Sequence, residues 1–185
     1  QSPIHPGWAS HLLGERLEDD TLIFNDYPLL LPFLNRPRPH SYFGTPNAGG
    51  LGWGVGAALG AQLACPDKMV VSACGDGSYM FGNPIAAHHV ARAHDLPVLF
   101  LVFNNSLWNA VRRSTLGMYP DGHAAKSNRM ALTSLDPAPE FDKMMDVCGG
   151  YGEKVEDPNE LGDALDRAIH AVKVEKRQAL LNIIF

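Results

Sequence analysis

Two oxygen-bearing side chains sit where apolar runs of the chain end. Met69-Val70-Val71 leads into Cys74-Gly75-Asp76-Gly77-Ser78, and Val98 to Phe103 leads into Asn104-Asn105, with 26 residues between Gly77 and Asn104. The carboxylate of Asp76 and the amide carbonyl of Asn105 are hard oxygen donors. With a free backbone carbonyl they suit Mg²⁺, which keeps positions open for water and phosphate oxygens. Glycines on both sides of Asp76 let backbone come close to an anion, and the amides of the following turn point outward as donors. The combination predicts a cradle for a metal and a diphosphate.

For the cradle to form, the two residues must arrive at one place. Asn83-Pro84 is an N-cap followed by proline at the first helical position, and Ile85, Ala86, His89, Val90 and Ala93 follow at helical spacing, so the unit is strand, helix, strand. Parallel strands joined this way release Asp76 and Asn105 at the same edge of the sheet, where open α/β folds bind ligands. Upstream, Leu51, Val55, Leu59 and Leu63 recur every four residues with Gly52, Gly54, Gly56 and Gly60 interleaved. Glycine inside a helix costs about 1 kcal/mol relative to alanine. Close approach to a sheet or a cofactor would explain the glycines; taken alone, a tightly packed helix without a ligand explains them as well.

Gly75-Asp76-Gly77, the gap of 26 and Asn104-Asn105 together resemble the signature of thiamine-diphosphate enzymes, in the domain that holds the diphosphate. Ala48-Gly49-Gly50-Leu51-Gly52-Trp53-Gly54 and Ala57-Ala58-Leu59-Gly60-Ala61 resemble the same domain in the acetolactate-synthase and benzoylformate-decarboxylase branch, so the likeness covers nearly the whole chain. The resemblance implies that Asp76, Asn105 and the Leu107 carbonyl hold Mg²⁺, and that Tyr27, Pro28, Gly49, Gly50, Leu51, Gly75, Gly77, Ser78 and Trp108 join them around thiamine diphosphate. Leu51 would be the apolar prop under the bent cofactor, and the Gly49 carbonyl would accept from its 4′-amino group.

The same resemblance implies decarboxylation or carboligation of a small 2-keto acid. The activating glutamate belongs to a pyrimidine-binding domain that this chain lacks, so no catalytic residue is identifiable here and the chain alone is expected to be inactive. That domain, and a middle domain, would lie on the same longer polypeptide or on a partner chain. Gln1-Ser2-Pro3-Ile4 has the look of a linker, which fits a piece of a longer protein. Homo-oligomerisation is expected by analogy. The reading from another class is a non-catalytic or regulatory module of the same fold that binds a phosphate ligand.

Composition bounds these readings. The chain has 185 residues, 45% hydrophobic and 19% charged, enough for one domain with a substantial core. A net charge of −5 without a basic stretch longer than Arg112-Arg113 argues against nucleic acid. Three widely spaced cysteines give neither a disulfide framework nor a zinc site. No membrane-spanning run or signal pattern is present, and a cytoplasmic location is the expectation.

The remaining elements follow from periodicity. Helices are expected over 6–18, 29–34, 139–148 and 158–174, with a helical stretch after Asn105. Strands are expected over 21–24, 151–155 and 179–185. Residues 35–47 read as mostly loop, an ordinary connection or, by the resemblance, an approach to Gly49 beside the substrate; residues 117–137 read as a loop, a lid or a surface loop in which Met118 and Tyr119 are candidate pocket walls. Alternation of strands and helices predicts an α/β, doubly wound, mainly parallel sheet with helices on both faces. His88 and His89 diverge by about 100° on a helix and read as packing and surface residues. His40, His123, Arg112, Arg113 and Trp53 each have a site reading and a surface or core reading.

Overall fold

The computed structural model describes residues 3–48, 50–127 and 130–185. Gly49 lies outside them. In chain order the elements are α1 (Pro6–Arg16), β1 (Leu22–Asp26), α2 (Leu31–Leu34), β2 (Tyr42–Phe43), α3 (Trp53–Ala64), β3 (Val70–Gly75), α4 (Asp76–Phe81), α5 (Pro84–Ala93), β4 (Val98–Asn104), α6 (Asn109–Met118), α7 (His123–Lys126), a 3-10 turn (Phe141–Lys143), α8 (Met144–Cys148), β5 (Tyr151–Val155), α9 (Leu161–Lys173) and β6 (Ala179–Ile184).

The six strands form one sheet in the order β2-β1-β3-β4-β6-β5, every pairing parallel. A parallel sheet is covered on both faces, so its central strands are apolar throughout rather than alternating. Every residue of β4, Val98 to Asn104, is accordingly buried. Ile23, Val71, Leu99, Leu101 and Phe103 face a core closed by α1 and α9; Phe24, Val70, Cys74, Phe100 and Val102 face a core closed by α3, α5 and α8. The doubly wound α/β arrangement is the one the alternation predicts.

The chain leaving β1 turns outward to β2, whereas the chain leaving β3 crosses to β4. The carboxyl ends of β1 and β3 therefore flank a topological switch point, the place where such sheets bind ligands. Register places Asp26 beside Cys74 and Gly75 beside Phe103, so three strands end level with one another.

Residues 35–47 are mostly loop, as expected, with one short strand: Tyr42–Phe43 pairs with Ile23 and Phe24, and Phe43 stacks on Phe24 with centroids 4.9 Å apart. Three local expectations are corrected. The helix after Gly75 begins at Asp76 itself, ahead of the separate helix at Pro84. The inner face of α5 is Ala87, His88 and Ala91, whereas Ile85 and Val90 are exposed, because small residues and a fully hydrogen-bonded histidine let the helix lie close to the sheet. Residues 117–137 contain α7 and a strand-like bridge between Leu107 and Ser134, because the chain after β4 is extended and leaves backbone groups to be paired.

Candidate functional site

Asp76 is the first residue of α4 and is buried, placed there because β3 runs directly into the helix. Its Oδ1 accepts from the Gly77 amide at 2.9 Å and its Oδ2 from the Leu107 amide at 3.3 Å. The Oδ1 of Asn105 accepts from that same Leu107 amide at 3.0 Å. The carboxylate and the amide oxygen thus gather around one N–H although they lie on different strand ends. Asp76 and Asn105 do converge.

Leu107 stands in an extended conformation opposite Ser134. Trp108 donates its amide to Thr133 O at 2.8 Å and Leu135 donates to Ser106 O at 2.8 Å, which makes Leu107 and Ser134 a non-hydrogen-bonded antiparallel pair. In extended backbone the N–H and C=O of one residue point the same way. The Leu107 carbonyl therefore faces the side on which its amide meets Asp76 and Asn105, away from residues 133–135. A side chain is irrelevant to this arrangement.

Asn104 has a different task from its neighbour. Its Oδ1 accepts from the Ser106 amide at 3.0 Å, its Nδ2 donates to Asn182 Oδ1 at 3.1 Å, and Asn182 Nδ2 donates to Asp142 Oδ1 at 3.1 Å. This buried chain fixes the turn that aims Asn105. Backbone in the left-handed region at Tyr27 (φ 83°) and Ser106 (φ 56°) marks the exits of β1 and β4. Non-glycine residues adopt such values sparingly, and they cluster at sites where surroundings hold them.

A second carboxylate completes the electrostatics. Asp26, at the end of β1, is fully buried; its Oδ2 accepts from Gly52 N at 2.8 Å, while Oδ1 is buried without a hydrogen-bond partner. Burial pushes the carboxyl groups of Asp26 and Asp76 above their usual range, opposed at Asp26 by the Gly52 amide and the nearby Ser78 side chain and at Asp76 by the amides of Gly77, Leu107, Ser106 and Asn105. Cys74, between them, has its thiol raised by burial and then by the two negative charges. Among the described residues neither acid is paired with a lysine, arginine or histidine.

Gly52 is needed where it stands: its φ is +85°, and a Cβ there would lie 2.4 Å from Gly82 N and 2.7 Å from Ser78 O. The start of α3 thereby presses on α4, the helix carrying Asp76. At Gly77 a Cβ would fall 2.6 Å from the Trp108 ring, which leans on the cradle and meets Phe81 edge-on. Gly56 and Gly60 have open space where a Cβ would stand, so the packing argument made from sequence does not extend to them.

A cavity of about 390 Å³ opens at this end of the sheet. Tyr27, Pro28, Leu51, Gly75, Asp76, Gly77, Ser78, Asn105, Leu107 and Trp108 line it, as do His5, Arg113 and Phe185, which the motifs did not single out for it or left open. Gly50 is exposed and does not line the cavity, nor do Trp53, His40, Arg112, Met118, Tyr119 or His123. His88 and His89 divide as expected into a buried and an exposed residue. Asn182 carried a legible signal, a polar residue inside the apolar run Ala179 to Phe185; Asp26 carried the same strand-ending acid signature as Asp76.

The donor set suits a hard divalent ion. One carboxylate, one amide oxygen and one carbonyl leave room for phosphate oxygens and water, as Mg²⁺ requires, and a cation would neutralise the unpaired buried acid. No cluster of three or more His, Cys, Asp or Glu suited to a metal occurs among the described residues, consistent with a set containing one acid. Among the described residues, no helix is long and apolar enough to cross a membrane.

Residues 28–183 match the family model of the thiamine pyrophosphate enzyme C-terminal TPP binding domain. A 2-hydroxyacyl-CoA lyase of Oryza sativa subsp. japonica is 35% identical over 154 residues, covering 81% of this chain and 24% of the relative. A probable acetolactate synthase of Mycobacterium bovis is 30% identical over 174 residues, 90% of this chain and 29% of the relative. A thiamine diphosphate-dependent 4-hydroxybenzoylformate decarboxylase of Rhodococcus jostii RHA1 superposes with a TM-score of 0.79 at 26% identity, over 97% of this chain and 32% of that one. The chain thus spans about a quarter to a third of the length of these relatives.

Proposed function

This chain belongs to the thiamine pyrophosphate enzymes as their C-terminal TPP-binding domain, and we propose that it holds the cofactor's diphosphate through Mg²⁺ as part of an enzyme that decarboxylates or carboligates 2-keto acids. Asp76, Asn105 and the Leu107 carbonyl are the metal ligands. The observation that carries this reading is the shared Leu107 amide, on which Asp76 Oδ2 and Asn105 Oδ1 meet at 3.3 and 3.0 Å.

When bound, the cofactor supplies an electron sink for the carbanion left by loss of CO₂. The residues of this chain bind, orient and exclude water. Ser78 and the glycines around Asp76 receive the phosphates at the start of α4, Leu51 and Trp108 form apolar walls, and Tyr27-Pro28 closes the side toward β1. Arg113, the lone lysine or arginine among the described lining residues, is placed to receive the substrate carboxylate with its planar fork. The activating glutamate comes from a pyrimidine-binding domain, on the same longer polypeptide or a partner chain, in a cytoplasmic homo-oligomer.

Calorimetry on the 185-residue chain tests the reading. Thiamine diphosphate should bind only with Mg²⁺, lose that binding in Asp76→Ala, and show no decarboxylation without the rest of the enzyme. Equal affinity for ADP would instead make this a generic phosphate site.

A further inference from the structure

At the opposite end of the sheet, where β4 and β6 begin, a separate cavity of about 110 Å³ lies among Arg92, Asp95, Cys148, Gly149, Lys176 and Gln178. It shares no residue with the cavity at the strands' carboxyl ends. A cavity of this volume is large enough to admit one tetrahedral oxyanion.

Two of its cations are uncommitted. The Arg177 guanidinium is occupied by Glu175, to which its Nε donates at 2.8 Å, and by Gly150 O at 3.2 Å. Arg92 and Lys176, in contrast, have no side-chain hydrogen bond or ion pair among the described residues. Gly149, with φ +70°, ends α8 beside the Arg92 guanidinium. The floor is rigid, because Gln178 donates to His88 O at 3.1 Å and Cys148 O at 3.2 Å while its Oε1 meets His88 Nδ1 at 2.8 Å. With every atom of that amide engaged, nothing on the floor turns to neutralise the cations above it.

Asp95 decides which anion fits. Asp95 also lines the cavity, and its carboxylate makes no ion pair among the described residues, so a fully deprotonated oxyanion held there lies close to a like charge. A group that keeps one proton meets an acceptor instead. We propose that this cavity binds a phosphoryl group carrying one P–OH: the Arg92 fork and Lys176 take its anionic oxygens, and Asp95 accepts a hydrogen bond from its hydroxyl. The volume admits inorganic phosphate whole, or the terminal phosphoryl group of an ester whose remainder stays in solvent.

The test is an NMR titration of the uniformly ¹⁵N-labelled chain with inorganic phosphate, against sodium chloride at matched ionic strength. The Gly149 amide and the Gln178 side-chain amide should shift saturably, and sulfate should bind at least several-fold more weakly. In Arg92→Ala/Lys176→Ala these shifts should vanish while any at Gly77 persist, and Arg92→Lys should retain part of them; both side chains are exposed, so the fold is not at stake. Glycerol phosphate run in parallel identifies the source: tighter ester binding points to a metabolite, tighter inorganic phosphate to the free ion, and either supports a phosphoryl site. Immobile Gly149 and Gln178 resonances at 20-fold lower chloride background, a double variant that titrates like wild type, or sulfate binding as tightly as phosphate would each overturn the proposal.

Discussion

Asp76→Asn should separate the metal-binding role of this residue from its structural one, because the two effects have different signs. Without metal, the carboxylate is a buried charge with amide donors but no cation, and burial raises its pKa. A folded-state pKa above the unfolded one means that the unfolded chain releases its proton more readily. Stability therefore falls as pH rises from the ordinary carboxylate range through the raised value, and the cost is fully present above it. An amide removes that cost but loses one acceptor, either for Gly77 N or for Leu107 N, worth about 0.5–1.5 kcal/mol. These terms oppose, so the metal-free variant should melt within about 2–4 °C of wild type.

With ligand the balance changes. At about 100 times Kd, Mg²⁺ with thiamine diphosphate stabilises wild type by about 2.7 kcal/mol, roughly 5–11 °C in a domain of this size. Loss of a charge-assisted contact, about 1.5–3 kcal/mol, weakens binding about 10- to 150-fold. At the same ligand concentration the variant's shift should then shrink to about 1–2 °C near the middle of that range. Thermal denaturation with and without Mg²⁺ and cofactor reads both effects in one experiment. A variant that keeps the wild-type ligand shift would remove Asp76 from the metal and refute the reasoning.

Four further outcomes follow from local geometry. Gly56→Ala and Gly60→Ala should each stabilise the isolated chain by about 0.5–1 kcal/mol, whereas Gly52→Ala should cost more than the about 1–2 kcal/mol of left-handed strain, since its Cβ also meets Gly82 N at 2.4 Å; urea melts rank the three. The Tyr79 hydroxyl lies 2.6 Å from His88 Nε2, so Tyr79→Phe leaves a buried acceptor unsatisfied and should cost about 1–3 kcal/mol. Burial lowers the His88 pKa, so the unfolded chain takes up protons first: stability is lost as pH falls below about 6.5 toward the lower folded value, and His88→Phe should show a smaller loss over that interval in denaturant midpoints. Asn182→Leu strands Asn104 Nδ2 and Asp142 Oδ1, so it should destabilise the fold by about 2–4 kcal/mol and weaken Mg²⁺-dependent cofactor binding, measured by calorimetry.

The parts legible in the sequence were those set by local rules. Apolar runs gave the strands, since a two-sided parallel sheet demands them, and the acid and amide at the ends of two such runs gave the convergence at Leu107. What stayed hidden was decided by tertiary contact. Tyr42–Phe43 is too short and too polar in its surroundings to announce a strand, yet β1 needs a partner on its open edge and Phe24 offers a ring to stack on. On α5, hydrophobicity favours Ile85 and Val90 as the inner face, but a histidine whose two nitrogens and carbonyl are all bonded fills the core at the Phe100 ring, 4.6 Å away. The glycines of α3 look alike in sequence; only Gly52 has backbone of another helix where its Cβ would be.

These hidden contacts bear on how far the motif itself explains the site. Asp76 is placed by the junction of β3 and α4, close to its own residues in sequence. Asn105 is not: the turn that aims it is held by Asn104 through Asn182 to Asp142, and by residues 133–135 pairing with residues 106–108. A chain could carry Gly-Asp-Gly and Asn-Asn at the correct spacing and still point its amide oxygen elsewhere if position 182 were apolar. The buried asparagine on the closing strand and the left-handed residue at Ser106 are thus as much a part of the donor geometry as the ligands, and perturbing either should weaken metal-dependent binding without touching a ligand.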